Sequence, residues 1–520
     1  MQHHPALPTG LSESGSAARE AGEVAAAVRN ALKLGSSLIA TWSVAMIVKL
    51  QVPAHLGPVR QGHFGFAESF ATVFFTCIGL GIDTYILKEV SVRPDHASDV
   101  VGGTFALRGL MSAAILAAMT ATLWITHRPA ETVLTAGVFG FAYVVMTNNN
   151  TLAVVLQAAW RVGWVAASNV TTKIVWGLGL LLGLHFDAPL PLLAAAYLSA
   201  ELLKTVLLVP AARREAGLRY RVDVSAVRKA VVASVPYFVN ALALGVLGNL
   251  GLSVLEFVGR DESEVGWFAA DLNMSYLCML LTPLLGWVVM PMLSRAYARS
   301  EAEGFAMLRR ILQGLVIVVA PLTVLTSAGA DVLVRIAFHD KFAPAATGLS
   351  ILSLVFVMTY LDTMLAIALT IVGRGWSVTL ISVSSVFINA ALMLAFVPMG
   401  RRLLGTGGEC AGAAAAVIAT EVCVLIGMVS RFKESPLDNI VLSVLAKSVV
   451  VGAVVLWVDR QLRGLGSVRL ALDALLYTAM ALGLRVVTIA ELRGAYRLVR
   501  SRGATSSPPP GPRSSDTNER

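Results

Sequence analysis

Residues 62–70 read GHFGFAESF and residues 266–274 read GWFAADLNM. Each stretch begins with a glycine, passes through aromatic and alanine residues to a carboxylate, Glu68 or Asp271, and opens a long apolar run. An acid at the mouth of an apolar run, placed twice, points to an internal repeat, and the runs themselves decide the fold class.

The chain has 520 residues, 56% of them hydrophobic and only 14% charged, against about 25% charged in a soluble domain. Its mean hydropathy is +0.73. Lipid is therefore the solvent for most of it. Crossing about 30 Å of hydrocarbon takes roughly 20 apolar residues in a helix. Fourteen runs qualify: Leu34–Val52, His63–Leu87, Val100–Ile125, Val133–Ala159, Trp164–Leu184 and Leu190–Pro210 in one group. Ala230–Phe257, Val265–Met290, Ile311–Ser327, Thr347–Val372, Trp376–Val397 and Ala411–Val429 form a second, followed by Ile440–Val458 and Val468–Ala490. Such runs are too long for barrel strands, and a helix satisfies every backbone group within the segment. An all-α integral membrane protein follows.

The net charge of +9 does not point to nucleic acid, because the basic residues fall in short connections between apolar runs. Connections after the even-numbered runs carry Lys88 and Arg93, Arg161, the cluster from Arg213 to Lys229, Arg295 to Arg310, Arg374, and Arg431 with Lys433. The positive-inside bias places these, and both termini, in the cytoplasm. The basic segment 213–229 divides an N-lobe, 34–212, from a C-lobe, 230–430; residues 431–490 add two helices. Residues 1–33 read as a cytoplasmic segment and 491–520, rich in Pro and Ser, as a disordered tail. No signal-peptide pattern opens the chain, so the first run reads as a retained helix. Six crossings per lobe set the repeat axis along the membrane normal, as in transporters built from parallel repeats. The four cysteines lie in or beside apolar runs without CxxC spacing and read as packing residues.

Residues 56–93, LGPVRQGHFGFAESFATVFFTCIGLGIDTYILKEVSVR, carry a resemblance. Leu56-Gly57-Pro58, Gly62 and Phe64, Gly79-Leu80-Gly81-Ile82-Asp83 and Leu87-Lys88-Glu89-Val90 are similar to the signature of oligosaccharide (Wzx-like polysaccharide) flippases of the multidrug/oligosaccharidyl-lipid/polysaccharide (MOP) superfamily. GWFAAD and Pro291-Met292-Leu293-Ser294-Arg295 extend it into the second half; Lys88 departs from the usual arginine. The resemblance implies a MATE-like bundle of two six-helix lobes plus two helices. It also implies a carrier that turns polyprenyl-diphosphate-linked oligosaccharide units across the cytoplasmic membrane by alternating access. Its partners would be the glycan lipid, membrane lipids, and a polysaccharide polymerase and glycosyltransferases. A multidrug cation antiporter of the same superfamily is the alternative.

A charge at bilayer depth costs roughly 2.5 kcal/mol or more, so each one needs a reason. Lys173 near mid-helix, Arg108 two turns into the third run and Lys49 are the candidates for contact with an anionic head group, although snorkelling would also explain Lys49. Asn148, Asn149 and Asn150 form either a sugar-binding wall or a local break. Asp362, Glu421, Glu68 and Asp271 are candidates for ion coupling; the last two equally suit a helix dipole, and Asp362 and Glu421 a lock between lobes. Glu201 and Lys204 can pair with each other. No HExxH, GxSxG or Walker loop and no cluster of histidines is present. The sequence supports neither an enzyme nor a cofactor nor a metal site.

Overall fold

The computed structural model describes residues 11–92, 97–219, 221–279 and 282–487. The tail from 491, the far end of the last apolar run and the side chains of Pro236, Tyr237 and Pro283 lie outside the described residues. Among the described residues the regular structure is all helix, with no strand. Eleven helices are long and apolar enough to cross a membrane, and the remaining three of the fourteen runs appear as helices that bend or break.

Helix α1 (Leu11–Phe75) holds the first two runs in one element, bent at Gly57, whose φ of 73° lies in the left-handed region. It begins well before the first apolar run, in a stretch rich in Ala, Glu and Arg, all good helix formers. The second run does not continue straight: after Phe75 a 3-10 turn, Thr76–Gly79, leads through Leu80 and Gly81, both at positive φ, to α2 (Ile82–Val92). Helices α3 (Ala97–Ile125), α4 (Ala130–Ala158), α5 (Val162–His185) and α6 (Leu190–Glu215) complete the first half.

The second half repeats the pattern. Helix α7 (Val224–Val258) runs unbroken through Pro236, and α8 (Glu262–Cys278) stops where α1 stops, with α9 (Thr282–Arg299) resuming beyond a break. Then come α10 (Glu301–Ala328), the short α11 (Ala330–Phe338), α12 (Ala345–Leu352), α13 (Val355–Ile371), α14 (Gly375–Leu404) and α15 (Gly408–Ser430). Helices α16 (Asn439–Gln461) and α17 (Arg469–Gly483) close the chain. The expected continuous runs His63–Leu87, Val265–Met290 and Thr347–Val372 are thus each two helices.

The two quoted stretches pack on each other. A Cβ on Gly62 would lie 3.0 Å from the Gly266 nitrogen and 2.8 Å from the Glu262 carbonyl, and one on Gly266 would collide with the Pro58 carbonyl. Each glycine therefore meets the residue four positions before its counterpart, a reciprocal contact about a pseudo-two-fold axis. Small residues here let backbones approach, which is how helices gain contact where no hydrophobic drive exists between them. Around this crossing one buried cluster joins both halves, with Phe66, Phe70, Leu255, Phe268 and Phe342 among its members. Two further clusters are more local, one among α2 to α7 and one among α9, α10 and α13 to α17. The halves are fused at the Gly62 end and meet again where α7 packs on α2 and α3, while α9 packs on α10 and α13.

Candidate functional site

A broken helix frees carbonyl oxygens, and in hydrocarbon these need donors. At the first break Arg108 supplies them. Its Nε donates to the Ile78 carbonyl at 3.0 Å, Nη2 to the Gly79 carbonyl at 3.0 Å and to Asp83 at 3.3 Å. Nη1 donates to the Thr147 carbonyl at 3.2 Å and the Thr151 hydroxyl at 2.6 Å. All five N–H groups of the guanidinium are used, and the side chain is fully buried. The sequence offered Arg108 as a head-group contact; in the structure all its donors are engaged in holding the helix break.

The asparagines separate in the same way. Helix α4 is continuous through them, so there is no local break. Asn149 is buried and donates to the Glu201 carboxylate and carbonyl, both at 2.8 Å, while accepting from Thr205. Glu201 is thus held across helices by Asn149. Asn148 is half-buried and Asn150 exposed, so the three amides share no wall.

One small cavity of about 40 Å³ lies in the first half where it faces α8, lined by Lys49, Gln61, Glu68, Trp176, Tyr197 and Asn273 among others. The Lys173 ammonium stands 4.4 Å from the Trp176 ring centre and 5.9 Å from that of Tyr197, so both rings carry a cation on their faces. Lys49 reaches across to the Tyr276 ring of α8, 5.4 Å away. Two lysines, one carboxylate and a set of aromatic faces therefore meet where α1, α4, α5 and α6 face α8. Lys49 does not need snorkelling to explain it.

A second, larger space lies within the second half, among α7, α8, α13, α14 and α15. Its two parts measure about 220 and 490 Å³ and share Leu244, Leu247, Thr359 and Glu421. Asp362 lines it together with Glu421, and neither carboxyl oxygen of Asp362 has a hydrogen-bond partner among the described residues. Asn240, Asn389 and Thr420, with Ser and Thr residues such as Ser275, Thr359 and Ser385, add polar groups to largely apolar walls, and Asn389 donates to Thr420 at 3.0 Å. Tyr276 faces both spaces, its ring under Lys49 on one side and lining the larger cavity on the other.

The repeat-related acids part company. Glu68 lines the small cavity, whereas Asp271 is fully buried between α8 and α15, accepting from the Cys410 thiol at 3.2 Å with its other oxygen unpartnered. Of the sequence candidates the structure gathers Lys49, Lys173 and Glu68 at one place and Asp362 with Glu421 at another; Arg108, the asparagines and Asp271 belong to the packing. Sequence reasoning missed Trp176, Tyr197, Asn273 and Tyr276, which a helical run presents like any other packing residue. It also missed Arg128, whose guanidinium pairs with Glu256 across the seam.

No family model and no curated protein matches the sequence. Solved structures do match in fold. The lipid II flippase MurJ, in an inward closed conformation, gives a TM-score of 0.66 at 11% identity over 87% of this chain and 98% of that one. An inward-facing multidrug resistance MATE family transporter of the MOP superfamily gives 0.61 at 14% identity over 75% and 94%. An outward-facing structure of the same description gives 0.52 at 13% identity over 77% and 95%. At these identities the likeness concerns the fold: a MATE-like, all-helical, multi-pass arrangement.

Proposed function

We propose that this protein is a flippase that carries polyprenyl-diphosphate-linked oligosaccharide units across the cytoplasmic membrane by alternating access, for export of a surface polysaccharide. The observation that carries the reading is the meeting of Lys49 and Lys173 with the ring faces of Trp176, Tyr197 and Tyr276 between the two halves. Ammonium groups suit diphosphate oxygens, and aromatic faces suit the apolar faces of sugar rings. The presence of a lipid II flippase among the structural neighbours supports the same reading.

Sidedness follows from charge. With the basic connections in the cytoplasm, the fused Gly62 end faces outward. A space of about 40 Å³ holds little more than a water molecule. The glycan therefore enters only when the halves part on the cytoplasmic side, and the aromatic site widens as they do. Asp362 and Glu421, facing each other in the second half, can hold one proton between them and release it when the cavity is exposed to the other side.

The larger cavity favours a second reading, a multidrug cation antiporter, since two carboxyls among apolar walls suit an organic cation. Cells lacking the protein decide between the two. A flippase leaves glycan lipid accumulated on the cytoplasmic face with dye efflux unchanged; loss of dye efflux with normal glycan export would replace the flippase by the antiporter.

A further inference from the structure

At the turn between α9 and α10 three guanidinium groups gather without the acids to match them. Arg295, Arg299 and Arg310, with Met292, Met307 and Glu303, line a cavity of about 460 Å³. Glu303 is its one lining carboxylate and stands 3.9 Å from Arg299. Arg295 uses its Nε on the Pro291 carbonyl at 3.2 Å. Neither Arg295 nor Arg310 forms an ion pair with a described residue, whereas the neighbouring Arg309 turns away to Ser435 and Glu434.

The surroundings define what the cations face. On α10, Arg310, Gly314 and Val318, four residues apart, are all exposed along one ridge; on α9, Met292, Arg295 and Arg299 form another. Both ridges change from apolar to arginine toward the turn. On helices that cross hydrocarbon, that change marks the depth at which acyl chains give way to head groups.

We propose that this cavity binds the phosphodiester head group of an anionic phospholipid, whose chains lie against Met292 and Val318. The guanidinium fork matches phosphate oxygens two at a time, and a basic pocket between helices at the membrane surface is the setting in which lipid head groups are held. A free phosphate would use the arginines but leave the methionines and the exposed ridge of α10 without a partner. Helix α9 is the segment beyond the break in its run, so a head group bound here holds that segment at a fixed depth. The proposal rests on the membrane placement of these helices and not on the identity of the transported molecule.

The test uses the full chain purified in neutral detergent and native mass spectrometry, with phosphatidylglycerol and phosphatidylcholine of identical chains as probes. Phosphatidylglycerol should be retained in preference, and the Arg295→Gln/Arg310→Gln variant should lose roughly thirtyfold in retention, at about one arginine's surface contribution each. Glu303→Gln, which removes the one acid, should raise retention, and Arg402→Gln, at the far end of α14, should leave it unchanged. Equal retention of the two lipids overturns the proposal, as does retention unaltered in the double variant or lost equally in Arg402→Gln. Displacement of phosphatidylglycerol by millimolar inorganic phosphate would reassign the cavity to the free ion and overturn it likewise.

Discussion

Arg128, in the turn between α3 and α4, pairs with Glu256 at the end of α7, so that one ion pair crosses the seam between the two halves. The Glu256 side chain is almost fully buried, and the guanidinium also stands 4.9 Å from the Phe257 ring centre and 5.5 Å from that of Phe66. It donates further to the Glu256 carbonyl at 2.8 Å. The fused end is thereby locked by charge and by ring faces together.

Removing one partner leaves a buried carboxylate alone, at a cost of about 3–5 kcal/mol. Arg128→Ala should therefore shift the resting population toward a form open at this end. Spin labels at Asp187→Cys and Thr406→Cys would read it as a longer, broader distance distribution. An unchanged distribution would remove Arg128 and Glu256 from any gating role.

The crossing of Gly62 and Gly266 makes a sharper steric prediction. A methyl on Gly266 meets the Pro58 carbonyl at a distance no atom pair sustains, and overpacking of this kind costs about 1–3 kcal/mol. Gly266→Ala should keep the protein in the membrane, disfavour the closed end and slow transport. Gly137→Ala, on α4 with nothing within 4 Å of the added carbon, should behave as wild type. Equal transport by the two variants would contradict the close approach.

Arg108 is expected to act on stability first. Lysine offers three donors where five acceptors wait, so Arg108→Lys leaves carbonyls at the helix break unsatisfied, at about 1–3 kcal/mol for each lost partner. Thermal unfolding in detergent should show a lower midpoint in this variant and in Asn149→Ala. A midpoint equal to wild type with transport abolished would return Arg108 to the substrate site.

These residues show how far the sequence could be read. Apolar length and the basic connections locate the crossings, because both depend on composition summed over a segment. The paired glycines signal the repeat, and Gly79-Leu80-Gly81 carries the sign of the first helix break in its flanking glycines. Which way a side chain points within a run apolar on all sides is another matter. Lys173 and Arg108 are both cations inside apolar helices, yet one faces aromatic rings at a cavity and the other a set of carbonyls, and nothing in hydropathy separates them. Glu68 and Asp271 look like counterparts by sequence, but the repeat is approximate and the second acid falls among α8, α12 and α15, with Gly348 and Cys410 against it.

Asp362 and Glu421 should couple transport to the proton gradient. Asp362→Asn and Glu421→Gln keep the shape and remove the proton. Each variant should retain its thermal midpoint and lose the acceleration that an imposed pH difference gives to wild type in vesicles. A full pH response in both would exclude the pair from coupling.

The most direct measurement places the purified protein in liposomes that carry a polyprenyl-diphosphate oligosaccharide and follows the appearance of its sugars on the opposite face with a lectin. Wild type should move the glycan lipid well above empty liposomes. Lys173→Ala should fall by about tenfold or more, the loss of one charge-assisted contact of roughly 1.5–3 kcal/mol, while keeping its fold. Glycan movement by wild type no faster than in empty liposomes, or by Lys173→Ala equal to wild type, would contradict the assignment.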